Sequence, residues 1–197
     1  MSNQAKKAIL ICGSYKPSKE KKTASATRSY LNLLASAIEK ESKDSCIIYD
    51  IRESNLPFYD GRMPHEYNNE YLDKLYLDIN ENDLIVIALP SYWSTISGGI
   101  INLINLLTGP LYDKEDEYTI FKEKIIIPII VGAQYRDAEE ASKQVELIFS
   151  SLSVKEITQP IKIGNVREME GSEKIEISKK IYRIGKIIGN NMGRASL

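Results

Sequence analysis

Cysteine, histidine and tryptophan are scarce in this chain, which carries two, one and one of them among 197 residues. Two cysteines cannot make a disulfide framework, and Cys12 and Cys46 fall at equivalent places in the first two strand-like runs, where thiols serve as packing residues. The single histidine, His65, stands beside Pro64 in a polar stretch and reads as a surface residue rather than a proton donor. With so few soft ligands, no metal site and no catalytic acid or base stands out. Charge of one sign is also lacking: 26 basic and 27 acidic residues give a net charge of -1, which argues against general binding to nucleic acid or to an anionic membrane and favours a small-molecule partner. No apolar run approaches the ~20 residues of a membrane helix, and only a handful of apolar residues follow Met1–Lys7 before Gly13, so the expectation is a soluble, cytoplasmic protein. Nothing repeats, and no linker or low-complexity tract divides the chain, so residues 1–197 are expected to form one domain.

What the chain does have is a regular alternation of apolar runs and amphipathic segments. Ala8–Cys12 is a short strand-like run, followed by Gly13-Ser14, a lysine-rich loop, and Ser25-Ala26-Thr27 opening a helix to about Lys40, with Leu31, Leu34, Ala35 and Ile38 at helical spacing. Such a junction exposes backbone N–H groups at a helix start, and the hydroxyls of Ser25 and Thr27 add donors, a combination suited to a phosphate. A nucleotide, a sugar phosphate or a flavin could each supply one. Further strands are read at 45–50, 84–90, 125–131 and 161–163, and further helices at 66–80, around Ile100–Leu107, at 137–151 and around Ile177–Ile188. Gly109-Pro110 reads as a permissive helix end, and Pro128 inside its strand implies a bulge or register break. An acidic loop, Asp113–Glu117, lies between the third helix and the fourth strand.

Strands alternating with helices imply an α/β protein with a parallel sheet, in which ligands bind outside the carboxyl ends of the strands. That directs attention to three loops. The first holds Ser14 and the cationic rim Lys16, Lys19, Lys21 and Lys22. The second, Pro90-Ser91-Tyr92-Trp93-Ser94 through Gly99, sets the only tryptophan beside a tyrosine, whose faces can pack on a planar ring. The third, Gly132-Ala133-Gln134-Tyr135, is placed to close the site from the other side.

In order along residues 8–163, these segments resemble the NADPH-dependent FMN reductases of flavodoxin-like fold, a group that includes flavin, quinone, azo and chromate reductases. Gly13-Ser14 and Ser25-Ala26-Thr27-Arg28 look like the family's phosphate grip, Lys16 stands where arginine is frequent, 55–60 (Asn-Leu-Pro-Phe-Tyr-Asp) looks like its Leu-Pro-aromatic-acid segment after the second strand, and 90–99 looks like the loop that lines the flavin ring. The resemblance implies a three-layer sandwich with a five-stranded parallel sheet in the order 2-1-3-4-5. It implies FMN and NAD(P)H as cofactors, with the phosphate on Ser14, Ser25, Ala26 and Thr27 and Lys16 as a further cofactor-binding residue. The ring then lies between Pro90, Ser91, Tyr92, Trp93 and Ser94 on one side and Gly132, Ala133 and Gln134 on the other. The implied activity is hydride transfer from a nicotinamide through FMN to a small acceptor such as a free flavin, a quinone, an azo or a nitro compound. An electron carrier of the same fold, or a flavin-less assembly protein, is the alternative. A homodimer or dimer of dimers is expected as well, for which Phe58, Tyr59, Tyr67, Tyr71 and Tyr76 could furnish an apolar contact, the alternative being that these aromatics simply pack on the sheet. The chain departs from the family at Ile101 and Asn105, where many members carry lysine and aspartate, and in its long first loop and glycine-poor third loop.

Overall fold

In the computed structural model, which describes residues 6–17, 24–43, 45–109, 120–166 and 168–195, strands and helices alternate as the periodicity implies. The elements are β1 (Ala8–Cys12), α1 (Ala26–Glu41), β2 (Cys46–Asp50), a 3-10 turn (Pro64–Tyr67), α2 (Glu70–Glu81), β3 (Leu84–Tyr92), β4 (Thr95–Ile96), α3 (Gly98–Thr108), β5 (Ile125–Val131), α4 (Tyr135–Ser150), β6 (Glu156–Ile157), β7 (Ile161–Ile163) and α5 (Gly171–Ala195). Parallel pairing gives the order β2-β1-β3-β5, and a fifth position is filled first by β6 and then by β7. The flavodoxin-like order is therefore present, with a correction to five strands: the fifth is split in two, and β4 adds a short antiparallel partner to the end of β3. Strands of two residues, as β4 and β6 are, are too short for alternation to show in a sequence.

Side-chain alternation builds a core on each face of the sheet. Ile9, Ile11, Ile85, Ile87, Leu89, Ile126 and Ile130 point to one side, where they pack with residues of α2, α3 and α4 such as Leu75, Leu103 and Phe149. Leu10, Cys12, Val86, Ala88, Ile127 and Ile129 point to the other, under Leu31, Leu34 and Ile38 of α1 and Ile181 and Ile188 of α5. Burial on both faces explains why these strands read as unbroken apolar runs.

Pro128 corrects an expectation. It pairs in register with Ile87, and β5 runs past it along β3 without a break. The Ile126 carbonyl accepts from Thr158 N–H at 2.9 Å on the side of the fifth position, so by strand alternation residue 128 faces that side too. There β6 stops opposite Ile126 and β7 resumes opposite Ile129. The missing N–H of Pro128 thus meets the gap between two short strands, and the break falls in the neighbour.

Other local differences have equally plain causes. Asn68 adopts φ 51 and Asn69 caps the next helix through Leu72 N–H at 2.9 Å, so the single helix expected over 66–80 becomes a 3-10 turn followed by α2. Gly109 has helical φ of -56 and does not act through left-handed freedom. Cys12 and Cys46 are not at equivalent places: Cys46 pairs with Ala8 and Cys12 with Asp50, at opposite ends of the β1–β2 ladder, and both are free thiols. Lys19, Lys21, Lys22, Pro110 and the acidic Asp113–Glu117 lie outside the described residues. Among the described residues no helix is long and apolar enough to cross a membrane.

Candidate functional site

The junction of β1 and α1 is built from buried hydroxyls. Ser14, Ser25 and Thr27 are each at most 2% exposed. Ser25 caps α1 by accepting from Arg28 N–H at 3.1 Å, and Ser14 Oγ accepts from Lys16 N–H at 3.3 Å. With an acceptor position already filled, the hydroxyls of Ser14 and Ser25 each keep a hydrogen as donor. The N–H groups of Ala26 and Thr27, in the first turn of α1, have no intrahelical carbonyl to bond. Gly13 closes the turn where α3 crosses: a Cβ there would come within 2.5 Å of Ile100 Cγ1.

Arg28, noted in the sequence only as part of the helix-start motif, organises this loop. It is 8% exposed. Its guanidinium grips the Asp50 carboxylate in a bidentate pair, through Nε and through Nη2 at 2.9 Å, while Nη2 also donates to the Ser14 carbonyl at 2.7 Å and Nη1 to that of Lys16. The hydrogen bond with Asp50 holds the guanidinium firmly in its charged form. Asp50 also accepts from Arg52 N–H at 3.1 Å, and the Arg52 guanidinium reaches the Tyr15 carbonyl. The signal in the sequence was positional: Arg28 stands on the same helical stripe as Leu31, Leu34 and Ile38, where a charge needs a partner.

The second loop is tighter than its sequence implies. Pro90, Ser91 and Tyr92 belong to β3, and the chain reverses over Trp93 and Ser94, both left-handed at φ 53 and 59, into β4. This two-residue hairpin leaves Trp93 95% exposed and Tyr92 41% exposed. The serine hydroxyls are spent inward: Ser91 donates to the Asp137 carbonyl and Ser94 to Asp137 Oδ1, each at 2.9 Å. Gln144 holds the hairpin from α4, donating to Ser94 O at 3.1 Å and accepting from Ile96 N–H at 3.2 Å.

In the third loop Gly132 is fixed by donation to Ile163 O at 2.8 Å, and a Cβ on it would lie 2.6 Å from Gln134 O. Gln134 N–H donates to Asp137 Oδ2 at 3.0 Å. Asp137 therefore ties the second loop to the third, a role that no spacing in the sequence announces. Ala133 and Gln134 border an open depression of about 410 Å³ shared with Arg136, Asn165 and Glu168.

The three loops meet. Lys16 Nζ sits 5.8 Å above the Tyr92 ring, and Ser97 Oγ donates to Gly13 O at 3.2 Å, linking the first loop to the second. Every predicted site residue lies at this end of the sheet, Pro90 and Ser91 within a strand rather than on a loop. Nearby, Asn102 of α3 clamps the segment after β2, donating to Pro57 O at 2.8 Å and accepting from Tyr59 N–H at 3.0 Å, while Phe58 stays 88% exposed. Arg62 holds Asp60 from the same segment, keeping that carboxyl well below the ordinary carboxylate range. His65 is exposed. Tyr59, Tyr67, Tyr71 and Tyr76 pack against the core. A larger trough, about 700 Å³, lies along α5 beside Leu33 and Tyr182, apart from these loops.

A doubly wound parallel sheet with a donor-lined helix start at its first strand, and aromatics at the neighbouring strand end, defines a flavodoxin-like protein with these loops gathered at the carboxyl edge. Over residues 7–165 the sequence matches the model of the NADPH-dependent FMN reductases, and the chain belongs to that family. It is thus an FMN-dependent NAD(P)H oxidoreductase. Solved structures agree in fold. An NADH:FMN oxidoreductase in its apo form superposes with a TM-score of 0.66 at 12% identity, covering 92% of this chain and 89% of that one. The azoreductase of Bacillus anthracis str. Sterne gives 0.64 at 14% identity, covering 94% and 99%. An FMN-dependent NADH-azoreductase from the Ames Ancestor strain, in complex with FMN, gives 0.66 at 11%, covering 94% and 100%. No curated protein matches the sequence.

Proposed function

We propose that the cradle formed by Ser14, Lys16, Ser25, Ala26 and Thr27 holds the phosphate of FMN, and that the isoalloxazine ring lies between Pro90–Ser94 and Gly132–Gln134. The observation that carries this is the donor set at the β1–α1 junction: three buried hydroxyls, two of them with acceptor positions filled from within the loop, beside the first-turn N–H groups of α1. Hydrogen bonds from such groups to a charged phosphate contribute about 1.5–3 kcal/mol each. The flavin supplies the hydride chemistry. The protein's own residues bind, orient and screen: Tyr92 and Trp93 offer ring faces, while Asp137 and Gln144 fix the hairpin that carries them.

Tyr15, Phe58, Tyr92, Trp93 and Tyr135 are the exposed aromatics among the described residues, and all stand on segments that follow strand ends or, for Tyr92, at the end of β3 itself. This rim supports a flat aromatic acceptor, such as a quinone or an azo compound, in preference to a metal oxyanion. Phe58 and Trp93 also support the face as the contact of a homodimer. The reading further takes residues 1–197 as one domain working in the cytoplasm.

Anaerobic addition of NADPH, and separately NADH, to protein loaded with FMN tests it. The expected outcome is bleaching of the flavin absorbance and its return on adding a quinone. A bound flavin that neither nucleotide reduces would overturn the reading, and sedimentation as a monomer at micromolar concentration would overturn the dimer.

A further inference from the structure

Five consecutive backbone carbonyls in the first loop are all occupied from within the protein. Gly13 O accepts from Ser97 Oγ at 3.2 Å, Ser14 O from Arg28 Nη2 at 2.7 Å, Tyr15 O from Arg52 Nη1, Lys16 O from Arg28 Nη1, and Pro17 O from Ser25 N–H at 3.0 Å. Three of the five, at adjacent residues, are taken by two arginine side chains: that of Arg28, which grips Asp50, and that of Arg52, whose backbone N–H donates to the same carboxylate. An unpaired carbonyl beside a phosphate repels it, since the oxygen carries the negative end of the peptide dipole. Two guanidinium groups in the same place would be a ready phosphate ligand, yet the Arg28 guanidinium is committed to Asp50 and two carbonyls and is nearly buried.

We propose that Arg28 and Arg52, organised on Asp50, are positioning residues for phosphate recognition: they turn the carbonyls of Ser14, Tyr15 and Lys16 away from the phosphate, so that the loop meets it with donors only. The arginines do not touch the phosphate. Lysine cannot replace Arg28, because one ammonium cannot span a bidentate carboxylate and two carbonyls at fixed angles. This inference rests on the reading above, that Ser14 and the first turn of α1 hold the FMN phosphate.

Riboflavin, which has the same ring without the phosphate, separates positioning from general structure. Dissociation constants for FMN and riboflavin are measured by flavin fluorescence on the wild-type chain, Arg28→Lys and Arg52→Ala, with circular dichroism to verify folding. The expected result for Arg28→Lys is FMN affinity about tenfold weaker with riboflavin affinity within about twofold of wild type. Arg52→Ala, at an exposed side chain, is expected to weaken FMN alone by about threefold. If Arg28→Lys does not fold, Arg52→Ala decides by itself. Equal losses for both flavins, or no loss for FMN, would overturn the proposal while leaving the FMN reading of the wild-type chain in place. A wild-type chain that binds neither flavin removes the FMN reading and this proposal together.

Discussion

Trp93 holds a backbone conformation that bulky residues avoid, and it does so with its indole almost wholly in water. The hairpin needs left-handed residues at its two central positions, which asparagine or glycine supply with less strain. Trp93→Asn is therefore expected to raise stability by about 1 kcal/mol, read as a higher thermal midpoint, and to lower turnover with a quinone. The tryptophan was legible in the sequence, but its strain was not, because the angle follows from a pairing of β3 with a two-residue strand. The Tyr71 hydroxyl is a second such cost. Its ring packs edge-on against Tyr49 at 5.2 Å, and the buried oxygen has no partner in good hydrogen-bond geometry, although the Asp50 backbone is near. Removing that hydroxyl in Tyr71→Phe should leave stability unchanged or raise it by up to about 1 kcal/mol in urea titrations. Cys12 behaves in the opposite sense. Burial pushes its thiol up to about 11, so below pH 9 the proton stays in both folded and unfolded chains, while between pH 9 and 11 the unfolded chain alone releases it. Stability should fall across that window by up to about 3 kcal/mol, and Cys12→Ala should flatten the fall in urea midpoints measured from pH 8 to 11.

Helices and strands with several turns of periodicity were readable: α1 with its Ser25 cap, the apolar β3, and the stripe of α5 all follow from residue spacing. What spacing could not supply were the ties between elements. Asp137 is an ordinary acidic residue near a helix start, yet it joins β3, the hairpin and α4 by three hydrogen bonds. Two of them use the carboxylate, so Asp137→Ala should cost about 1–2 kcal/mol and accelerate amide hydrogen exchange around 94–96, measured by mass spectrometry. Unchanged exchange there would show that Gln144 alone holds the hairpin. Arg28 was half legible, as a charge on an apolar stripe. Its partner, Asp50, lies at the end of β2, and the parallel register of β1 with β2 brings that end beside the β1–α1 junction.

At the scale of the whole molecule, the parallel order and the edge where ligand loops gather were predictable, because continuous apolar strands between amphipathic helices have few other ways to bury both faces. The near-balanced charge gave no guide to the site, where two of the arginines are paired locally, Arg28 with Asp50 and Arg62 with Asp60. The split fifth position carries one consequence for how these molecules behave in a crowded solution. A long, straight outer strand with free N–H and C=O groups is a template onto which another chain can add, and from there an aggregate can grow. On the β5 side the outermost positions are two pieces of two and three residues, set apart opposite a proline that has no N–H to offer, so no continuous ladder is available for an incoming strand. The β2 side has five unbroken residues and a half-exposed Ile48, and any self-templating aggregation of the folded protein should begin there.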